Sequence, residues 1–136
     1  MRTPPRLALG CALTLLLGCG AAGPAPSPAD FPSRSAAQPP FTLSWRIDRD
    51  AERVSAVGLV DVGGYVDRLM DVTVELQGLD AAGQVVSRAT TTAAPRSFSG
   101  DRTWPFTVRL HPTGQENRFA LQVADFRWRI ERTGGM

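Results

Sequence analysis

The sequence contains no lysine and a single histidine, and neither of its two cysteines lies beyond Cys19. A lone His111 cannot build a multi-histidine metal centre, and no acid close to it in sequence could orient it as a base. With Cys11 and Cys19 both at the amino end, the part that folds has no disulfide, no cysteine-based metal site and no cysteine nucleophile. No Gly-x-Ser-x-Gly elbow occurs among the many Ser and Thr residues, which argues against a serine hydrolase. The longest apolar run, Leu7–Leu17, falls short of the roughly 20 residues that span a bilayer as a helix. The formal charge of +2 includes Arg2 and Arg6; without them, 13 basic side chains face 13 acidic ones. A neutral domain lacks the basic face that a nucleic-acid partner requires.

What is present begins with Arg2 and Arg6 ahead of Leu7–Leu17, the pattern of a secretory signal. The apolar run closes on Leu16-Leu17-Gly18-Cys19, which resembles a bacterial lipobox. In that family of signals the cysteine is diacylated and becomes the first residue after cleavage. The resemblance implies that 1–18 is a signal peptide, that Cys19 is the lipidation site, and that the membrane is a partner through this anchor. Leu9-Gly10-Cys11 is a poorer match because the apolar run before it is too short. The alternatives are an ordinary signal peptide cut near Ala21-Ala22, or an uncleaved anchor. Gly20, where retention signals carry Asp, resembles Gram-negative sorting to the outer membrane.

Residues 19–40 follow as the lipidated cysteine and a Pro/Ala/Ser-rich tether. Phe31 is the tether's only large apolar side chain, and it reads as incidental. In polyproline II geometry such a tether would hold a domain up to about 60 Å from the bilayer.

Residues 41–133 read as one small all-β domain. Phe41, Leu43, Trp45 and Ile47 alternate with polar residues, as do Val72, Val74 and Leu76. Asp80-Ala81-Ala82-Gly83 supplies turn chemistry between Val72–Leu76 and a return strand opening at Val85. Val54–Val62 is apolar on both faces, which fits a central strand or one covered by a loop. Arg88–Gly100, with Pro95 inside it, suggests a loop or poor edge strand. Phe106, Val108 and Leu110 form another strand. Phe119, Leu121 and Val123 share one phase and Phe126, Trp128 and Ile130 the other, which predicts a β-bulge near Ala124-Asp125. The expected fold is an immunoglobulin-like antiparallel β-sandwich of about seven strands.

From Gly58 onward the layout resembles the FxLYD-type immunoglobulin-like domains of bacterial envelope proteins. Gly58-Leu59-Val60-Asp61-Val62, Asp71–Leu76 with Leu79–Val86, Phe106-Thr107-Val108 and Phe119–Trp128 carry the resemblance. It implies a module without general catalytic activity, and therefore no catalytic, cofactor-binding or metal residues.

Three further groups invite chemistry. His111-Pro112 reads as a surface turn. Asp48, Asp50 and Glu52 could line a Ca²⁺ site, but Arg49 and Arg53 interrupt them and no Gly-containing calcium loop follows, so a solvated turn is the better reading. Arg127 and Arg129 flank Trp128, and Arg46 follows Trp45. Strand alternation predicts both Trp side chains inward and the Arg groups outward, where they could pair with Asp71 or Glu75. The functional expectation is a non-enzymatic outer-membrane lipoprotein facing the periplasm, with an envelope protein as partner and no cofactor. The alternative is a carrier of a small apolar ligand between the sheets.

Overall fold

The structure, a computed structural model, describes residues 26–38, 40–95 and 101–130. The expected signal and lipobox-like stretch, with Cys11 and Cys19, lie outside the described residues. Seven strands form the domain: β1 Ser33–Gln38, β2 Phe41–Arg49, β3 Val54–Asp61, β4 Leu69–Leu79, β5 Val85–Ala93, β6 Thr103–Leu110 and β7 Arg118–Trp128. They make two antiparallel sheets, ordered β1-β2-β3-β6 and β5-β4-β7. No α-helix occurs among the described residues; two short 3₁₀ turns, Pro28–Asp30 and Gly63–Tyr65, complete the set. The fold is therefore an all-β sandwich. The chain changes sheets between β3 and β4, between β5 and β6 and between β6 and β7, so that β3 pairs with β6 and β4 with β7, as strands B with E and C with F pair in an immunoglobulin-like sandwich.

The period-2 pattern of the sequence becomes the core. Val72, Val74 and Leu76 of β4 are fully buried against Val60, Trp104, Val108 and Leu110 from the facing sheet. The β4–β5 turn forms as its residues require. Asp80 Oδ1 accepts from the Ala82 and Gln84 amides, both at 2.9 Å, and Gly83 takes a φ of 80°. β3 is the central strand its two apolar faces predict, between β2 and β6. Pro105, which would break an interior strand, sits in β6 at the edge of its sheet, where no second neighbour needs its missing N–H. β5 is likewise an edge strand and ends before Pro95. In β7, Val123 pairs with Val74 and Asp125 with Thr73, so Ala124 is the extra residue of the expected bulge.

Two expectations are corrected. The first concerns the tether: residues 28–38, assigned to it, belong to the fold. β1 pairs with β2, placing Ser33 opposite Trp45 and Ser35 opposite Leu43. Strand pairing is a backbone property, so a run of Ser and Ala can complete a sheet without an apolar pattern of its own. Phe31 is not incidental. It is 6% exposed, lies beside Val57 and Leu59, and has the Arg46 guanidinium 5.8 Å from its ring. Leu59 is buried although it alternates with the core residue Val60, and Phe31 covering the outer face of the sheet accounts for that. Burying a Phe side chain contributes about 1.5–3 kcal/mol, enough to hold the chain on the sheet ahead of β1.

The second correction concerns Trp128. Trp45 packs partly buried against the core as expected, but Trp128 is 44% exposed. The fully buried tryptophan is Trp104, whose indole N–H donates to the Asp101 carbonyl at 2.8 Å. Phe126 and Trp128 do follow the bulge in the changed phase. However, β4 and β7 each run 11 residues, against 9 in β2 and 8 in β3 and β6. The longer sheet overhangs the shorter one: Phe126 meets Phe41, the first residue of β2, and Trp128 beyond it is left half-exposed.

Candidate functional site

The overhang gathers the exposed aromatic side chains at one end of the sandwich. Phe126 lies 5.2 Å from Phe41 and 5.4 Å from Trp128 between ring centroids, and Trp128 meets Tyr65 edge-on at 5.6 Å. Phe41 is buried, so this chain of rings is continuous with the core and held by it. Tyr65 is brought there by the 3₁₀ turn after β3, where the Asp61 carboxylate accepts from the Gly63 amide at 2.8 Å. The Arg68 carbonyl accepts from the Arg129 amide at 2.7 Å and ties that link to the end of β7. Tyr65, Asp67, Arg68, Trp128 and Arg129 line an open groove of about 620 Å³. Sequence reading missed this cluster. Its one signal was the apolar alternation Phe126, Trp128, Ile130 running on past the length of the strands that could face it.

The outer face of the β5-β4-β7 sheet carries the charge pairs. The Arg127 guanidinium grips Asp71 through both carboxylate oxygens, with Nε at 2.8 and 3.1 Å and Nη2 closer still. The Asp71 hydrogen bonds and its charge push the Arg127 pKa further up. This is the cross-strand pairing that the alternation predicts. Glu75 accepts from Gln122 at 3.0 Å and has Arg88 at 3.9 Å. Arg46 pairs with Asp48 on its own strand at 3.3 Å.

The carboxylates considered for Ca²⁺ have other work. Asp50 Oδ1 accepts from the Glu52 and Arg53 amides at 2.8 Å, bonds that lower its pKa and close the β2–β3 turn. Among the described residues no group of three or more His, Cys, Asp or Glu is placed to hold a metal. His111 is exposed in the β6–β7 link.

That link is fastened by Glu116, which sequence reading passed over. Its carboxylate accepts from the Thr113 amide at 2.8 Å, the Gly114 amide at 2.9 Å and the Ser87 hydroxyl at 2.7 Å. Gly78 leaves the space: a Cβ there would lie 2.5 Å from Glu116 Cγ and 2.2 Å from Ser87 Oγ. The Thr113 amide first, then the Ser87 hydroxyl, hold the Glu116 pKa down to about 2 from the ordinary 4.5. A lowered folded-state pKa adds stability that is complete above the unfolded value and disappears as pH falls through the folded one. Between about pH 5 and 2, the urea midpoint of the protein should therefore fall, modestly because solvent reaches this carboxylate. Glu116→Gln should be less stable near neutrality and lose that part of the acid slope. Parallel acid slopes in the two proteins would remove Glu116 from this role.

Comparison with family models, with curated proteins and with solved structures found no match.

Proposed function

We propose that this chain is a non-enzymatic outer-membrane lipoprotein, anchored through Cys19, whose β-sandwich serves as a protein-interaction module in the periplasm. The observation that carries the reading is the filled interior. Trp104, Leu69, Leu76, Leu110 and the valines between the sheets are fully or almost fully buried. A carrier of apolar ligands would need that space open. The polar side chains that might do chemistry are instead engaged in turns and cross-strand pairs. The lipobox resemblance of Leu16–Cys19 supports the anchor, and the FxLYD-type layout supports a module without catalysis.

Protein contact is assigned to the outward face of β5, where Arg88, Thr90 and Thr92 are exposed side by side. A photo-crosslinking residue at Thr90, activated in living cells, should give an adduct of one discrete mass that disappears when Arg88→Glu is added. Absence of any adduct would sink the interaction module. A stoichiometric apolar molecule extracted from natively purified protein would replace it with the carrier.

A further inference from the structure

The two ends of the sandwich differ in chemistry. One end is closed by three turns, Asp50–Arg53, Asp80–Gln84 and 111–117, whose residues include no large aliphatic side chain and no Phe, Tyr or Trp. The other end carries the aromatic chain Phe126–Trp128–Tyr65. Beside it, Met70 is 47% exposed and Ile130 is 85% exposed. We propose that this end rests in the headgroup region of the bilayer to which the chain is anchored, an inference that rests on the lipoprotein reading above.

The length of the chain before the fold favours a lipid surface as occupant. With Phe31 fixed on the outer face of β3, the segment from Cys19 to Ser27 is all that separates the anchor from the sandwich. Eight residue steps reach only about 25 Å in polyproline II geometry. Phe31 lies beside Val57 and Leu59 at the middle of β3, about 10 Å along the strand from Val54 at one end and from Val62 at the other. The anchor thus keeps the sandwich within reach of the membrane at all times, and the chemistry of its two ends selects the aromatic one. Tyr and Trp suit such a boundary because each joins an apolar ring to a polar tip. Arg68 and Arg129 line the same groove against one acid, Asp67, and can meet lipid phosphates. The ring contacts back to buried Phe41 present the cluster as one body.

The test uses protein purified from envelopes and reconstituted into phosphatidylethanolamine–phosphatidylglycerol vesicles brominated near the headgroup or deep in the acyl chain. The mass of its amino-terminal peptide reads the anchor, and tryptophan quenching reads the aromatic end. Wild-type emission should be quenched by bromine, more by the shallow label than by the deep one. Trp128→Phe should lose at least half of that quenching, while Trp104→Phe should keep it. An acylated protein whose quenching is unchanged by Trp128→Phe would overturn the inference and leave the anchor standing. A soluble, unacylated chain would remove the anchor, and the inference with it. Sedimentation in detergent that shows a dimer, dissociated by Trp128→Arg, would assign the aromatic end to a second copy and also overturn it.

Discussion

Trp104→Ala is expected to lower the unfolding free energy by about 3–5 kcal/mol, the range for deleting a fully buried Trp side chain. The cavity would open at the centre of the sandwich, since Trp104 pairs with Val60 on β3 and sits in the core with Leu76 and Leu110. The Asp101 carbonyl would also lose its indole donor. A small domain has only about 5–15 kcal/mol of net stability, so the variant should be marginal at growth temperature. Trp128→Ala removes the same atoms from a half-exposed position and should cost about 1–2 kcal/mol, in proportion to the area it leaves buried. Urea melts of the two variants side by side decide the matter. Equal losses would mean that β7 does not overhang the facing sheet.

The second large effect is one of location. Under the proposed anchor, Cys19→Ser should abolish fatty-acid labelling. The protein should then accumulate as precursor or, if another peptidase cuts it, in the soluble periplasmic fraction. Stable anchoring needs more than one acyl chain, at about 0.8 kcal/mol per buried CH₂. The aromatic end is too small to replace them: a few half-exposed rings can orient a tethered domain but not retain a free one. Cys11→Ser should leave labelling and fractionation unchanged. A Cys19→Ser protein that is still labelled and still sediments with outer membranes would refute the lipoprotein proposal.

Where sequence reading succeeded, neighbouring residues carried the information. The alternation of Val72, Val74 and Leu76 fixed their burial, Asp80 and Gly83 made their own turn, and the change of phase located the bulge at Ala124. The polar faces also narrowed the partners of the outward Arg groups to Asp71 or Glu75, and Arg127 takes Asp71. The misses share another cause. Whether Trp128 is covered depends on where β2 begins in the opposite sheet, and whether Ser33–Gln38 forms a strand depends on β2 offering it an edge. Trp104 stands before a proline that an interior strand could not hold, and only the sheet order shows that β6 is an edge to which both belong. The aromatic end was hidden for the same reason: it arises from unequal strand lengths in two sheets, and no local pattern encodes it.

The order in which the strands pair also governs when the chain can fold. β4 finds β5 through a tight turn, but its other neighbour is β7, and the Asp71–Arg127 bond closes a separation of 56 residues. β3 similarly waits for β6. Sandwiches dominated by such distant pairings fold in about milliseconds to seconds, because loop-closure entropy is lost before the contacts that repay it have formed. Until the last strand has emerged, β4 keeps an open edge and Leu76 lacks its partner Leu121. A chain truncated before Arg118 would be left with that edge as a template for aggregation. The second sheet is thus completed only by the strand that is made last among the described ones, so synthesis and folding of this domain cannot proceed in step.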